Sequence, residues 1–256
     1  FLLAFFGPAF GQSWGVRSML ANVQGPEILL KNKEGASVVK IQRAWADRIA
    51  SIADRLAQVY GIPTPELYIQ ADRTLNAYVT ARDGRSYMVF HTAMLQLIGD
   101  DEDMMASVIG HELGHLKAEH TTKGRDSQVV IGLLGALLGA AVDANQAKQG
   151  RDSAGLGMQL GGLGAGLVNA KFSRDQEREA DSLGIQMMAQ AGFDPSAATK
   201  MWRAMESVGN QGGSGTWLST HPSNEERHAT LSEDAARLAD VYASKKPVPR
   251  GLPIVD

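Results

Sequence analysis

His111-Glu112-Leu113-Gly114-His115 is an H-E-x-x-H stretch, and the fold is decided by how it is read. Residues four apart on a helix share a face, so both imidazoles can reach one ion. Zinc accepts imidazole nitrogen at about 2.0–2.1 Å. Glu112 sits beside that face. It can take a proton from a water held by the metal and later deliver it to a leaving amine. A five-residue pattern with this His and Glu content arises by chance in roughly 1 of 100 such chains, so the context has to support it. Met104, Met105, Val108, Ile109, Leu113 and Leu116 make residues 101–119 an apolar helix. A polar pair without a function would be costly to bury there.

A catalytic zinc usually has three protein ligands and one open position. A metzincin would carry Gly at 118 and His at 121; Ala118 and Thr121 stand there instead, and His120 is one residue out of register. A downstream carboxylate is the other source. After Glu119 the chain has no glutamate until Glu177, on a helix expected over 173–190. Glu177 and Asp181 share a face of that helix, with Glu179 roughly opposite. Glu177 is therefore the expected third ligand. Asp181 is the expected acceptor that orients a ligand imidazole through its other N–H.

Upstream, Ile41, Trp45, Ile49, Ile52, Leu56 and Val59 predict an amphipathic helix over 38–60, stopped by Gly61 and Pro63. Leu67-Tyr68-Ile69 reads as a strand. The segments 76–80 and 87–90 flank Asp83-Gly84, a hairpin-turn signal, so a small antiparallel sheet precedes the motif helix. Downstream, 129–142 and 153–168 read as a glycine-rich helical hairpin: a core element, a lid, or a membrane-contacting element. Gly192 is placed to end the 173–190 helix. Asp194-Pro195 caps the next, and Ser223 with Glu226 opens a last one.

The 256 residues carry a net charge of −3 and no Lys/Arg stripe, so nothing points to nucleic acid. There is no cysteine, which excludes disulfides, zinc ribbons and thiol nucleophiles. The opening run from Phe1 to Gly11 is apolar and resembles the core and small-residue end of a secretory signal peptide, so export is expected. No stretch reaches the roughly 20 apolar residues of a membrane span. The expected organisation is an N-terminal apolar arm and irregular segment over 1–36, a metalloprotease domain over 37–242 and a proline-rich tail over 243–256. The expected fold class is α+β, mainly helical, with the small sheet and the glycine-rich hairpin.

Three motifs then fall in order: H-E-L-G-H; Ser173-Arg174-x-x-Glu177-x-x-Ala180-Asp181-x-x-Gly184; and Thr220-His221-Pro222 with Arg227 beyond it. Together they resemble the gluzincin metalloprotease family of the CAAX prenyl protease, HtpX and the mitochondrial Oma protease, over residues 44–231. With no membrane-span-length segment, the chain is most similar to the periplasmic branch of BepA and LoiP. The resemblance implies one zinc per chain at His111, His115 and Glu177, and a general base at Glu112. It also implies that Asn76, Ala77 and Tyr78 lie near an edge strand that receives extended substrate.

His221 has two readings. It can hydrogen-bond the oxyanion formed when water attacks the scissile carbonyl, or it can swing onto the open metal position and hold the enzyme inactive. Arg227 can pair with a nearby carboxylate or stabilise the oxyanion. His91, His120 and His228 have no nameable partner and read as structural. The function expected is a zinc-dependent endopeptidase of unfolded or misassembled proteins, in envelope quality control. The alternative is a latched metalloprotease acting mainly as a chaperone-like or membrane-associated binding protein. Protein or peptide substrates are the expected partners, with envelope contact through 129–168.

Overall fold

The computed structural model describes residues 13–31, 37–82, 84–121, 172–209, 217–218, 221 and 225–245. Strand β1 (Ser13–Gly15), helix α1 (Val16–Asn22), strand β2 (Glu27–Lys31) and strand β3 (Ser37–Gln42) come first. Residues 13–31 are thus not irregular, as the sequence suggests. Trp14, Val16, Met19, Ile28 and Leu30 are buried in the core, and that burial draws the segment onto the body. Helix α2 (Arg43–Val59) begins later than its periodicity predicts. Val39 and Ile41 pair instead with Leu30 and Ile28 across β2–β3, a ladder that suits β-branched residues. The stripe Ile49, Ile52 and Leu56 is buried as expected.

Strands β4 (Glu66–Gln70), β5 (Ala77–Arg82) and β6 (Arg85–His91) join β1 in a sheet of order β1-β4-β6-β5. This sheet is mixed, which corrects the antiparallel expectation. The β5–β6 hairpin closes at Arg82↔Arg85, with Gly84 at φ 74°, the left-handed turn that Asp-Gly signals. Because β6 inserts between β4 and β5, it lies parallel to β4, with Leu67 opposite Met88. That leaves β5 at the edge of the described sheet.

Helix α3 (Thr92–Ile98) leads to α4 (Glu102–Lys117), which carries the H-E-x-x-H stretch. The Asp101 carboxylate accepts from the Met104 N–H at 2.9 Å, and Glu102 and Asp103 in the first turn suit the positive end of the helix dipole. Every residue from Met104 to His115 is buried. α4 is therefore a central helix, buried around its girth. Burying Met105, Val108, Ile109 and Leu113 contributes about 1.5–3 kcal/mol each.

Helix α5 (Arg174–Ala191) starts in a capping box, with Ser173 accepting from Gln176 N–H and Gln176 accepting from Ser173 N–H. It ends at Gly192, φ 80°. Helices α6 (Ala197–Gly209), α7 (Glu225–Arg237) and α8 (Ala239–Ala243) follow. The molecule is α+β and mainly helical. Among the described residues no helix is long and apolar enough to cross a membrane. The apolar run 1–11, the expected hairpin over 129–168, the loop 210–216, Ser223 and the tail 246–256 lie outside the described residues.

The site depends on how closely α4 and α5 approach. A Cβ on Gly114 would stand 2.5 Å from the Ala180 carbonyl oxygen, and one on Gly184 would stand 2.8 Å from the Gly110 carbonyl carbon. Both lie inside van der Waals contact, and the obstacle is backbone that cannot rotate away. The two glycines let the backbones touch, and this contact brings Glu177 within reach of α4.

Candidate active site

His111 and His115 lie one turn apart on α4 and turn their Nε2 atoms towards each other at 3.1 Å. Glu177, from α5, approaches both, with Oε2 3.6 Å from His111 Nε2 and Oε1 3.4 Å from His115 Nε2. His221 completes the group, its Nδ1 2.8 Å from Glu177 Oε1 and 3.1 Å from His111 Nε2. These four side chains are buried and offer ligand atoms all within 4.8 Å of one another.

The hydrogen-bond partners fix how the imidazoles are protonated. His111 Nδ1 lies 2.8 Å from Asp181 Oδ1. An ionised carboxylate only accepts, so Nδ1 carries the proton and the Nε2 lone pair faces the cluster. Asp181 is held in turn by Arg227, through Nε and through Nη2 at 2.8 Å from Oδ1. Arg227 Nη1 also lies 2.7 Å from Glu177 Oε2, and its guanidinium stacks on Trp202 at 3.8 Å. Arg227 is thus committed to the two carboxylates, the first of the two roles read from the sequence.

The electrostatics follow from burial and these partners. Burial opposes the charged form of His111, but the hydrogen bond and charge of Asp181, with the charge of Glu177, outweigh it and raise its pKa. Burial dominates at His115 and lowers its pKa well below the ordinary value, keeping it neutral. Glu177 and Asp181 are held below the usual carboxylate range despite burial: the first by His115 and His221, the second by Arg227 and His111. Glu112 is raised, because burial outweighs the neighbouring imidazoles.

Do these residues fit a metal ion? Two ligands of a tetrahedral zinc at about 2.0–2.1 Å stand about 3.3 Å apart, close to the separation of the His111 and His115 Nε2 atoms. An imidazole lone pair, a neutral second imidazole and an ionised carboxylate converging on one point are the donors a divalent cation takes. The residues fit.

Glu112 lies beside this donor set, its Oε1 3.6 Å from His221 Nε2. Its Oε2 accepts from the Val79 N–H at 3.0 Å and its Oε1 from the Trp217 indole N–H at 3.2 Å. Val79 lies on β5, so the outer edge of that strand faces the carboxylate. Asn76, Ala77 and Tyr78 lie where β5 begins. Asn76 and Ala77 are buried, while Tyr78 is partly exposed and meets His91 edge-on. Burial pushes the Tyr78 phenol up to about 12, so it stays neutral.

Three neighbours escaped the sequence analysis. Trp217 stacks on Trp202 at 4.6 Å besides binding Glu112. Phe172 stacks on His115 at 3.8 Å. His120 is buried between His115 and Glu179. Among the other histidines, His91 bonds within the Thr74 loop and His228 pairs with Glu206.

The model of peptidase family M48 matches residues 44–235. The chain belongs to this family. Its relatives include the mitochondrial metalloendopeptidase OMA1 of Schizosaccharomyces pombe, 33% identical over 66% of this chain and 46% of that protein. Metalloprotease LoiP of Escherichia coli is 28% identical over 75% of this chain and 71% of its own length. The β-barrel assembly-enhancing protease of Escherichia coli is 30% identical over 59% of this chain and 31% of its own. The chain therefore spans about half of the OMA1 relative and less of the assembly-enhancing protease. This M48 peptidase is a metalloprotease by family, and its four-residue cluster could hold the metal.

Proposed function

We propose that this chain is a zinc-dependent endopeptidase that hydrolyses unfolded or misassembled proteins in envelope quality control. The observation that carries the reading is the convergence of His111, His115 and Glu177 on one point, with Glu112 beside it. Zinc is favoured because the donors are imidazole nitrogen and carboxylate oxygen. When bound, such an ion supplies a Lewis acid that acidifies water and polarises the scissile carbonyl. Everything else falls to the chain. His111, His115 and Glu177 would hold the ion. Glu112 takes the proton of the attacking water and hands it to the departing nitrogen. Burial raises the Glu112 pKa, the direction that favours its taking up the proton it must later deliver. The outer edge of β5, entered through Asn76, Ala77 and Tyr78, would hold the peptide extended by main-chain hydrogen bonds, which tolerate many sequences. The names of the relatives support the substrate class: one is a β-barrel assembly-enhancing protease. The apolar opening run supports export.

A second reading is favoured by the closed geometry. His221 lies among the donors and Trp217 lies on Glu112. A latched protein would act mainly by binding partners in a chaperone-like way, with membrane or envelope contact through 129–168.

The test is cleavage of β-casein by the wild type and by Glu112→Gln, with zinc measured on both. The proposal expects zinc in both and cleavage by the wild type alone. Substantial cleavage by Glu112→Gln would overturn the assignment of the base. Zinc in both with cleavage by neither would favour the latched binder.

A further inference from the structure

The motif helix ends in an unusual way. Ala118 caps α4, and Glu119 takes φ 61°, the sole non-glycine residue with positive φ among the described residues. Side chains seldom adopt this left-handed conformation, because Cβ crowds the following carbonyl. Such strain persists only where surrounding contacts demand it, and it gathers at functional sites. Its effect here is geometric. In a continuing helix, residue 120 would lie about 140° around the axis from His115. The left-handed step swings it back instead. His120 is buried, with Nδ1 3.0 Å from His115 Nδ1 and Nε2 3.1 Å from Glu179 Oε2.

We propose that His120 and Glu179 form a positioning pair that fixes the tautomer and ring angle of His115 for metal binding. The proposal rests on the metal-centre reading above. Each hydrogen bond determines the next. Glu179 only accepts, so His120 donates from Nε2 and keeps a lone pair on Nδ1. That lone pair accepts the proton on His115 Nδ1. The Nε2 lone pair of His115 then faces Glu177 and His111. Phe172 lies over the same ring, 24° from parallel, so the imidazole is held at its edge and across its face.

The two ligand histidines are therefore braced differently. His111 meets a buried carboxylate directly, and that carboxylate is neutralised by Arg227. His115 meets an imidazole first, and the carboxylate behind it is 60% exposed. The inner link thus carries more of the positioning than the outer one. Neither residue touches the reacting atoms.

The test is zinc affinity, by competition with a chromogenic chelator, and the visible spectrum of the cobalt-substituted protein. Both are measured on the full chain, and neither readout needs peptide cleavage. His120→Ala and His120→Phe are expected to lose about 10- to 100-fold in affinity and to shift the cobalt bands. His120→Asn keeps an acceptor where Nδ1 stood, and His120→Gln moves it outward. Asn is expected to restore affinity to within about threefold of the wild type, and Gln is not. This pair carries the test if Ala or Phe fails to fold. Folded His120→Phe with wild-type affinity and spectrum would overturn the proposal, and so would equal behaviour of Asn and Gln. A wild type that binds no zinc would overturn the metal centre beneath it. A wild type that binds zinc without cleaving casein would leave the positioning pair standing.

Discussion

Trp217 donates its indole N–H to Oε1 of Glu112 at 3.2 Å, while the Val79 N–H holds Oε2. Each oxygen of the carboxylate expected to act as base keeps a second lone pair, but the indole lies against Oε1 and competes with an attacking water for that side of the group. Trp217→Phe keeps the stacking on Trp202 and removes the indole donor. A hydrogen bond to a charged group is worth about 1.5–3 kcal/mol, so casein cleavage should rise by about tenfold or more, with zinc content unchanged. Steady-state kinetics check this. A fall in kcat would mean that Trp217 orients the base rather than restrains it.

His221 lies among the donors, 2.8 Å from Glu177, which favours the latch over the oxyanion role in this closed arrangement. His221→Ala should raise casein turnover while zinc remains bound at His111, His115 and Glu177. Turnover and zinc content, measured together, decide the matter. Lost turnover with zinc retained would return His221 to the oxyanion, and unchanged turnover would remove it from both roles.

Gly184→Ala places a Cβ against the backbone of Gly110 and His111. Overpacking of this kind costs about 1–3 kcal/mol. Because α5 must back away from α4 to relieve it, Glu177 should retreat and zinc affinity should fall together with the melting temperature. A thermal scan and a zinc titration read the two effects. A variant with lowered Tm and wild-type affinity would show that the seam stabilises the fold without setting the site.

Asp181 is held below the usual carboxylate range by Arg227 and His111 against the opposing effect of burial. In the folded metal-free protein it binds its proton at lower pH than in the unfolded chain. Its contribution is therefore fully present above the unfolded value near 3.8, and it is lost as pH falls through the lower folded value. Asp181→Asn should cost about 3 kcal/mol at neutral pH, the low end for breaking a buried pair, since Glu177 still faces Arg227. It should also flatten the acid limb of the stability profile. Urea unfolding across the acid range tests the sign, and an unaltered acid limb would sink the assignment.

How much of this was legible in the sequence differs residue by residue. Helical periodicity puts His111 with His115 on one face and Glu177 with Asp181 on another, but that the two faces meet rests on Glu177 being the next glutamate after Glu119 and on the order of the motifs. Gly114 and Gly184 were visible as letters of motifs, but their reason is the distance between two helices, which no local pattern encodes. The parallel pairing of β4 with β6 depends on where a third strand inserts, and turn chemistry does not report that. His120 reads as structural because the sequence names no partner for it, and a continuing helix would carry it away from His115. Only the left-handed Glu119 reverses this, and a glutamate gives no warning of positive φ. Trp217 reaches Glu112 through packing against Trp202, a contact between segments far apart in the chain.

The His221 N–H donates to the Trp217 carbonyl at 2.7 Å, so the residue on the base and the residue among the metal donors are tied by a main-chain hydrogen bond. Vacating the site separately would break that bond. Closure that moves both residues together would be a single equilibrium, and a peptide entering along β5 would bind only the open fraction. Its apparent affinity is the intrinsic affinity scaled by that fraction. A change that stabilises the closed arrangement would weaken every substrate by the same factor. Preference among substrates would be untouched, so the tied pair would act as a volume control on proteolysis, with selectivity set elsewhere.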